Sequence, residues 1–415
     1  METLNKKQKI ILDLIINGRN AFITGFAGSG KSYLIEYIYQ LLKQNGKCIE
    51  LTAMTGCAAL LINGRTLHSA LGIGLAKGDA KSLVKRIYRT EGLLPNLLKL
   101  QVLIIDEVSM LSDILFDKIS EIFKIIHSKD TPFGKLQVIL VGDMSQLKPV
   151  EGDYCFHANC WDQCKIEVSI LTENMRISSD EPFDDLLKKL RWGIVSNLDL
   201  IEKMKLNEFS GDILPTKLFS TNKEVDAINQ YELGLLLKEG NESYRYKVLY
   251  TDNPIKLIES TNYAITNKIP EFLTLCVGAQ IMITRNLDFD LKIVNGTRGI
   301  IVSLNKTSVT IKLLSGELYN ACYFHVKPDR LDDLNLNLDF KYIPLMLSWA
   351  ISIHKSQGST IDLLEVNLGE SIFACGQAYV ALSRARNSDS VKIKIFNPRS
   401  IKVSKTVVDF YNKFN

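Results

Sequence analysis

Short apolar runs recur through the first third of the chain, and stretches with helical spacing of apolar positions lie between them. This alternation is typical of a doubly wound α/β fold, in which helices cover a parallel sheet. We therefore expect a parallel sheet here, with its ligand site at the carboxyl ends of the strands. The predicted strands are 21–24, 48–52, 102–105, 136–141 and 166–171, with a helix at 113–126.

A second set of alternating segments follows and predicts a second α/β domain. Within it, short β-rich runs at 299–304 and 308–314 are separated by turn residues, which predicts a small inserted antiparallel β-barrel. The second set of predicted strands is 217–220, 279–284, 345–352, 364–368 and 391–396. The expected limits are 1–165 for the first domain, with a short insertion at 72–100, 166–286 and 343–415 for the second, and 287–342 for the barrel.

Residues 25–32 read GFAGSGKS and match the phosphate-binding pattern G-x-x-x-x-G-K-[ST] between a predicted strand and a helix-forming run. Glycines let such a loop turn its backbone N–H groups toward phosphates, and the following helix presents its positive end to them. We expect Lys31 to reach the β- and γ-phosphates of ATP and Ser32 to hold Mg²⁺. The alternative is a glycine-rich turn that only ends a strand. The predicted nucleotide-binding residues of the loop are Gly25, Gly28, Ser29, Gly30, Lys31 and Ser32.

Polar residues follow two further predicted strands of the first domain. Asp106 and Glu107 end the run at 102–105, and in a P-loop enzyme such a pair holds Mg²⁺ and deprotonates the attacking water, respectively. Gln146 follows the run at 136–141, where it is placed to sense the γ-phosphate or position water. Acidic pairs also occur as solvated turns, and Asp143 with Gln146 is also compatible with a helix cap and an incidental amide. The phosphate-binding loop favours the catalytic interpretation of these residues.

The amino-acid composition limits the possible classes of protein but does not identify a ligand. An apolar content of 46% over 415 residues suffices for two or three domains, and a net charge of +4 is too small to indicate nucleic-acid binding by itself. Eight cysteines without a secretory signal favour an intracellular reducing compartment such as cytoplasm, nucleus or viral factory. Cys155, Cys160 and Cys164 lack the C-x-x-C spacing of a zinc site, so we expect buried thiols around Trp161.

The order of motifs along the chain resembles that of superfamily 1 subgroup B DNA helicases, most closely the Pif-type helicases and more distantly RecD and Dda. The resemblance covers nearly the whole chain. The matching segments are Asn5 with Gln8, LTAMTGCAA at 51–59, TLHS at 66–69, IDEVSM at 105–110, Gly142-Asp143 with Gln146-Leu147, LTENMR at 171–176, Thr221-Asn222, VGAQ at 277–280, VNG at 294–296, SIHKSQGST at 352–360 and YVALSRAR at 379–386.

This resemblance implies two RecA-like P-loop domains and an ATP- and Mg²⁺-dependent helicase. Such an enzyme moves 5′ to 3′ on single-stranded DNA, separates the duplex or fork ahead of it, and serves DNA replication, repair or recombination. We expect it to act as a monomer on DNA. By resemblance, Gln8 contacts adenine, Arg176 and Arg384 contact the γ-phosphate, Gln357 and Gly358 belong to the nucleotide cleft, and Thr55, Thr66, His68, His354, Lys355 and Thr360 face the DNA strand.

Two other classes of function remain as alternatives at this point. One is a nucleic-acid-dependent ATPase that remodels protein–DNA complexes without unwinding, and the other is a small-molecule kinase with the same phosphate-binding loop. The insertion at 72–100, where the resembling family carries a strand-separating wedge, favours unwinding. The segment 354–360 has no counterpart in such kinases. Capping or core hydrogen bonding is the alternative role for His68 and His354.

Overall fold

The structure is a computed structural model that describes residues 4–414, except 91, 174–179, 212, 251–256, 259, 262–263, 265–268, 286, 289–290, 292 and 327–338. The described residues within 1–177 and 405–415 form a first unit, and those within 178–328 and 337–404 form a second. Within the described part of the chain, no helix is both long and apolar enough to cross a lipid bilayer.

A six-stranded parallel sheet forms the centre of the first unit. Its strands are β1 (Ala21–Gly25), β2 (Ile49–Ala53), β3 (Arg65–Thr66), β4 (Val102–Asp106), β5 (Gln137–Gly142) and β6 (Glu167–Leu171). The strand order is β3-β2-β4-β5-β1-β6, and each pairing is parallel. Five of these strands lie within one residue of the predicted bounds. The short edge strand β3 was not predicted, because two residues carry no periodic pattern.

Helices cover this sheet and bury the apolar positions that the sequence spaces at helical intervals. They are α1 (Lys6–Ile16), α2 (Lys31–Gln44), α3 (Gly56–Leu61), α4 (Leu67–Ala70), α5 (Ala80–Arg89), α6 (Leu93–Lys99) and α7 (Asp113–His127). In α2, Leu34, Ile38 and Leu42 are at most 2% exposed and pack in one core with Ile23 and Ile139 of the sheet. α5 and α6 lie in the 72–100 insertion and pack against α7.

The edge strand β3 is tied to β2 by a buried ion pair. The Arg65 guanidinium donates to both carboxylate oxygens of Glu50 at 2.9 and 2.8 Å. The two side chains are only 5% and 2% exposed. Burial raises the pKa of the Glu50 carboxyl, and the charge of Arg65 opposes that rise. The pair therefore holds the strand that leads into α4, which begins one residue after β3.

The second unit contains one parallel sheet and several antiparallel ones. Its helices are α8 (Glu181–Leu190), α9 (Leu198–Leu206), α10 (Asn222–Lys238) and α11 (Gln377–Leu382). Its strands are β7 (Thr216–Phe219), β8 (Ser243–Lys247), β9 (Leu249–Tyr250), β10 (Phe272–Cys276), β11 (Gln280–Ile283), β12 (Arg298–Leu304), β13 (Ser308–Leu313), β14 (Leu318–Cys322), β15 (Phe324–Val326), β16 (Phe340–Tyr342), β17 (Leu345–Leu347), β18 (Ala350–Ser352), β19 (Leu364–Leu368) and β20 (Val391–Phe396).

The parallel sheet of the second unit has the order β18-β7-β19-β20. At its edge, Asn229 of α10 exchanges two hydrogen bonds with the backbone of Ala350, at 2.8 and 3.0 Å. A five-stranded antiparallel sheet has the order β14-β13-β12-β11-β17. Smaller antiparallel sheets join β15, β16 and β9, and β10 and β8.

Two predicted strands of the second domain require correction. The segment 279–284 forms β11 of the antiparallel sheet, where it pairs with β12 and β17. The segment 345–352 divides into β17 in the antiparallel sheet and β18 in the parallel one. Between them, the Ser348 N–H still donates to Gln280 of β11, whereas the Trp349 carbonyl already accepts from Lys217 of β7. The antiparallel region thus extends beyond the predicted 287–342 on both sides. Periodicity did not reveal this, because apolar strands of either sheet have the same pattern.

Two ends of the predicted second domain belong instead to the first unit. Strand β6 pairs with β1 through residues 21–25, so residues 167–171 lie on the first sheet. The C-terminal helix α12 (Lys405–Tyr411) also joins the first unit. It buries Val407, Phe410 and Tyr411, and Phe410 stacks on Phe156 with ring centroids 4.2 Å apart. Apolar burial against the first unit therefore decides where the end of the chain lies.

We predict that Arg65→Met destabilises the first unit by about 3–5 kcal/mol, because it leaves the Glu50 carboxylate buried and unpaired. Since burial raises the pKa of Glu50, this loss should be largest at neutral pH and shrink as the pH falls through that raised pKa. Urea unfolding of the variant at several pH values measures it. The double variant Glu50→Leu/Arg65→Met is the control and should recover most of the stability. A single variant as stable as the parent at neutral pH would contradict the role given to the pair.

Candidate functional site

The turn from β1 to α2 has the geometry of a phosphate-binding loop. Gly30 caps α2 in the left-handed region at φ 81°, which favours glycine. A Cβ on Gly25 would lie 2.6 Å from both the Leu171 carbonyl oxygen and the Ser29 hydroxyl. Ser29 is 2% exposed, and its hydroxyl has no hydrogen-bond partner among the described residues. The loop thus combines a glycine backbone with a buried donor that suits an anionic ligand.

Lys31, the first residue of α2, folds back over the loop. Its ammonium donates to the carbonyl oxygens of Gly25 and Phe26 at 2.8 and 3.0 Å. The neighbouring Ser32 is exposed at the start of the helix. The positive charge of Lys31 also lies close enough to oppose the rise in the pKa of Asp106. The structure therefore brings the lysine of the loop and the carboxylate of β4 into one electrostatic environment.

Two adjacent carboxylates occupy the end of β4. Asp106 and Glu107 are each 8% exposed, and the Glu107 N–H donates to Asp106 Oδ1 at 2.8 Å. Burial, followed by the neighbouring charge of Glu107, raises the pKa of the Asp106 carboxyl to about 7. Glu107 has a φ of 51°, a left-handed conformation that is uncommon outside glycine and asparagine. A buried carboxylate pair with no divalent counter-charge is electrostatically costly, and this donor set suits a hard cation.

The loop after β5 carries Gln146. Its N–H donates to the Asp143 carbonyl oxygen at 3.0 Å, while the Ser145 N–H donates to Asp143 Oδ1 at 3.1 Å. Gln146 is 4% exposed, and its side-chain Oε1 has no hydrogen-bond partner among the described residues. Asp143 thus shapes the turn as the capping alternative predicts. The buried amide of Gln146 is nevertheless left with an unused acceptor.

A capping box closes the N-terminus of α1. The Gln8 N–H donates to Asn5 Oδ1 at 2.8 Å, and the Asn5 N–H donates to Gln8 Oε1 at 3.0 Å. Asn5 Nδ2 also donates to Glu173 at 2.9 Å. Gln8 is 1% exposed, and its Nε2 has no hydrogen-bond partner among the described residues. One end of the Gln8 amide is therefore structural, and the other is available to a ligand.

Three residues expected to contact DNA lie on the edge of the first unit between β2 and α4. The Thr55 hydroxyl accepts from the Ala58 N–H at 3.2 Å, and the Thr66 hydroxyl accepts from the Ser69 N–H at 3.4 Å. Both threonines thus act as helix caps. His68 is half-buried, and burial lowers its pKa. At neutral pH its imidazole is uncharged, so it offers hydrogen bonds rather than a positive charge.

Arg384 organises the corresponding loop of the second unit. Its guanidinium donates to the carbonyl oxygens of Val380 at 2.9 Å, Ser356 at 3.3 Å and Ser359 at 3.2 Å, and to the Ser383 hydroxyl at 2.7 Å. Gln357 lies between two of these carbonyl groups in sequence and is 1% exposed. The structure thus brings together Arg384, which follows α11, and the loop that carries Gln357 and Gly358.

The predicted strand-contacting residues of the second unit lie on the same loop. His354 and Lys355 are half-buried, and burial lowers the pKa of His354. Gly296 packs so closely against this loop that an added Cβ would meet the Thr360 carbonyl oxygen at 2.1 Å. The VNG motif is therefore a close-packing partner of the loop. The conformation of this loop depends on both the glycine and Arg384.

Other sequence expectations have different outcomes. Arg176 lies outside the described residues. Gln280 of the VGAQ motif is buried and exchanges two hydrogen bonds of 2.8 Å with the backbone of Leu214, which indicates a structural role. Cys155, Cys160 and Cys164 are buried thiols, as predicted.

Sequence reasoning missed Tyr411, whose hydroxyl contacts Thr24 and Asp143, because no local motif marks a contact across more than 260 positions.

Comparisons with known proteins show which family the chain resembles. The model of PIF1-like helicases matches residues 3–206, and that of the 2B domain of DNA helicase Pif1 matches residues 263–304. A crystal structure of Bacteroides sp Pif1 in complex with ADP-AlF4 superposes with a TM-score of 0.78 at 27% sequence identity, covering 100% of this chain and 97% of that one.

Curated relatives match over nearly the whole chain. It is 34% identical to the ATP-dependent DNA helicase PIF1 of Xenopus laevis, over 99% of this chain but 64% of the relative's length. It is 32% identical to the ATP-dependent DNA helicase Pif1 of Bdellovibrio bacteriovorus, over 99% of this chain and 92% of that relative. The chain thus spans less than two thirds of the Xenopus relative and nearly all of the bacterial one. On the strength of these matches and two RecA-like parallel sheets, the chain belongs to the PIF1-like helicase family.

Proposed function

We propose that this chain is an ATP-dependent DNA helicase that moves 5′ to 3′ on single-stranded DNA and unwinds the duplex ahead of it. The observation that carries the proposal is the set of loops after β1, β4 and β5, which present Lys31, the Asp106–Glu107 pair and Gln146 at one edge of a parallel sheet. The names of the matched relatives support DNA as the substrate. The polarity rests on family membership.

The first unit fits a nucleoside triphosphate. Gln8 Nε2, which has no hydrogen-bond partner in the described part of the chain, suits a base acceptor. Ser29, Lys31 and the loop N–H groups suit phosphate oxygens. We propose Gly25, Gly28 and Gly30 as further nucleotide-binding residues of this unit. From the family resemblance, we also propose Gln357 and Gly358 as nucleotide-binding residues. Ser32 and Asp106 would hold Mg²⁺, whose charge neutralises the phosphates and offsets the burial of the carboxylates.

Glu107 is the proposed general base for the attacking water, and Gln146 positions that water or senses the γ-phosphate. Arg384 and Arg176 are proposed to stabilise charge on the γ-phosphate in the transition state. In the described structure, the Arg384 guanidinium is engaged by Val380, Ser356 and Ser359. Its catalytic role therefore requires an exchange of some of these contacts, which would reshape the loop at 353–360 during each cycle.

The proposed DNA-contacting residues are Thr55, Thr66, His68, His354, Lys355 and Thr360. Five of them offer hydroxyl groups or imidazoles, which bind phosphates and sugars without reading the base sequence. Because burial lowers the pKa of His68 and His354, Lys355 is the main source of positive charge in this set. We propose that the protein works as a monomer on DNA in replication, repair or recombination, within an intracellular reducing compartment.

The revised domain limits follow the sheets. We propose a first RecA-like domain in residues 1–173 with 405–415, and a second around β7, β18, β19 and β20. An inserted domain is built on β11–β17, and α5 and α6 form the strand-separating insertion.

The alternative function is an ATPase that remodels protein–DNA complexes without unwinding. The packing of α5 and α6 against α7 favours unwinding, because a wedge must be held by its own domain to separate strands.

The proposal predicts strand separation on a 5′-tailed duplex, and none on 3′-tailed or blunt duplexes, when ATP and Mg²⁺ are present. Lys31→Ala should abolish unwinding and ATP hydrolysis and leave single-strand affinity within about twofold of the parent, since phosphate and strand contacts involve different residues. A gel-based unwinding assay with matched oligonucleotides and fluorescence anisotropy measure the two quantities. DNA-stimulated hydrolysis without separation of any duplex would favour the remodelling alternative.

Glu107→Gln should retain ATP and Mg²⁺ binding but lower kcat by about 10²–10⁴-fold, because the attacking water loses its base while Asp106 and Ser32 remain. Nucleotide affinity from fluorescent-ATP titration and steady-state hydrolysis separate these effects. Asp153→Asn, which removes an exposed carboxylate from the same unit, is the matched control. A collapse of nucleotide affinity in the Glu107 variant would instead make Glu107 structural.

The loop at 353–360 predicts a specific coupling defect. Replacing His354 and Lys355 together with Ala should weaken strand binding and slightly flatten its salt dependence, because a cationic phosphate contact is lost. At saturating DNA, stimulation of ATP hydrolysis should fall, while the basal rate stays near that of the parent. Melting temperature measured beside both rates tests the packing alternative. Reduced stability with full DNA stimulation would show that His354 only packs against the strand beneath it.

A further inference from the structure

The hydroxyl of Tyr411 lies at a junction of two loops of the nucleotide-binding unit. It is 2.7 Å from the Thr24 hydroxyl, accepts from the Met144 N–H at 3.0 Å and donates to Asp143 Oδ1 at 3.3 Å. Either hydroxyl can donate in the first contact, and when the single phenolic proton goes to Asp143 the donor is Thr24. Tyr411 is 1% exposed, and Thr24 and Asp143 are fully buried. The three hydrogen bonds are thus mutually compatible and shielded from water.

The groups that Tyr411 joins lie directly before the proposed catalytic loops. Thr24 precedes Gly25, the first residue of the phosphate-binding loop, and pairs with Gly142 in adjacent parallel strands. Asp143 and Met144 begin the loop that carries Gln146, and Asp143 Oδ1 also accepts from the Ser145 N–H. One hydroxyl therefore connects the starts of both loops. Beyond these residues the sheet ladder between β1 and β5 ends, so it no longer fixes their spacing.

The ring of Tyr411 is held in place independently of its hydroxyl. Its neighbour Phe410 stacks on Phe156 at 4.2 Å and also contacts Phe22 and Trp161, each with ring centroids 6.2 Å apart. Val407 of α12 is fully buried in the same unit. Removing the hydroxyl alone therefore leaves the apolar anchor of the helix intact. This separates the hydrogen-bonding role of Tyr411 from the packing role of α12.

We propose that Tyr411 is a positioning residue for ATP hydrolysis, which acts by fixing the distance between the phosphate-binding loop and the Gln146 loop. The inference rests on the proposed ATPase function of this site. Positioning matters most in the transition state, where a displacement of about 1 Å costs up to about 10²-fold in rate. The defect from losing the hydroxyl therefore falls on kcat, with little change in KM for ATP.

The test is Tyr411→Phe, measured by DNA-stimulated ATP hydrolysis over a range of ATP concentrations. We expect kcat to fall by about tenfold with KM within about twofold of the parent. The matched control is Tyr154→Phe, which alters a buried tyrosine of the same aromatic cluster, stacked 5.3 Å from Phe156. This control should retain the parent kcat. Melting temperatures of both variants are recorded beside the rates.

Thr24 supplies the second arm of the test. Thr24→Val removes the hydroxyl that hydrogen-bonds to Tyr411, while Thr24→Ser keeps it, so only the valine variant should lose kcat. The double variant Thr24→Val/Tyr411→Phe should lose no more than the larger single defect, because both changes break one connection. A Tyr411→Phe enzyme with parental kcat, or a kcat loss equal in the Tyr154→Phe control, would overturn the positioning role. A parent chain that hydrolyses no ATP would instead overturn the proposed function together with it.

Discussion

The parallel pairing of β4, β5 and β1 is the constraint on which the first unit and its proposed nucleotide site depend. Parallel strands deliver all of their carboxyl ends to one edge of the sheet, so the loops that follow them meet there. The register of the strands aligns their carboxyl ends, since Ile23 lies beside Val141 and Ile105 lies beside Leu140. Lys31, the Asp106–Glu107 pair and Gln146 are therefore brought to one edge from three separate parts of the sequence, without any local motif that joins them.

Several polar groups at the same edge of the sheet are energetically unfavourable to bury in the absence of a ligand. Asp106 has a pKa raised by burial and by Glu107, while Ser29 and Gln146 bury polar atoms without partners among the described residues. Glu107 adds a backbone conformation that non-glycine residues rarely adopt. Such unfavourable features persist where a ligand relieves them. Under the proposed function, a triphosphate accepts from Ser29, the attacking water donates to Gln146 Oε1, and a divalent cation offsets the carboxylate charge. This energetic imbalance supports the nucleotide site that we propose from the motif.

Contacts from segments that are distant in sequence fix the conformation of these loops. Tyr411 reaches the ends of β1 and β5 from the C-terminal helix, and Arg384 fastens the loop around Gln357 from a different part of the second unit. Gly296 lets the antiparallel region approach that loop at Thr360. In each case a single side chain, or the lack of one, determines the shape of a segment that carries several proposed functional residues.

The sequence by itself determined the local elements of the first sheet and predicted its chemistry. Apolar runs located the strands, because a strand buried on both faces must be apolar, and the GFAGSGKS loop predicts Lys31 and Ser32 as nucleotide-binding residues. Tertiary structure alone decided which sheet each strand joins: β6 went to the first sheet, β11 and β17 to the antiparallel one. Pairing depends on hydrogen bonds between distant backbones, which leave no trace in periodicity. For the same reason, the sequence did not predict the contacts of Tyr411 or the Glu50–Arg65 pair, whose partners only the folded chain brings together.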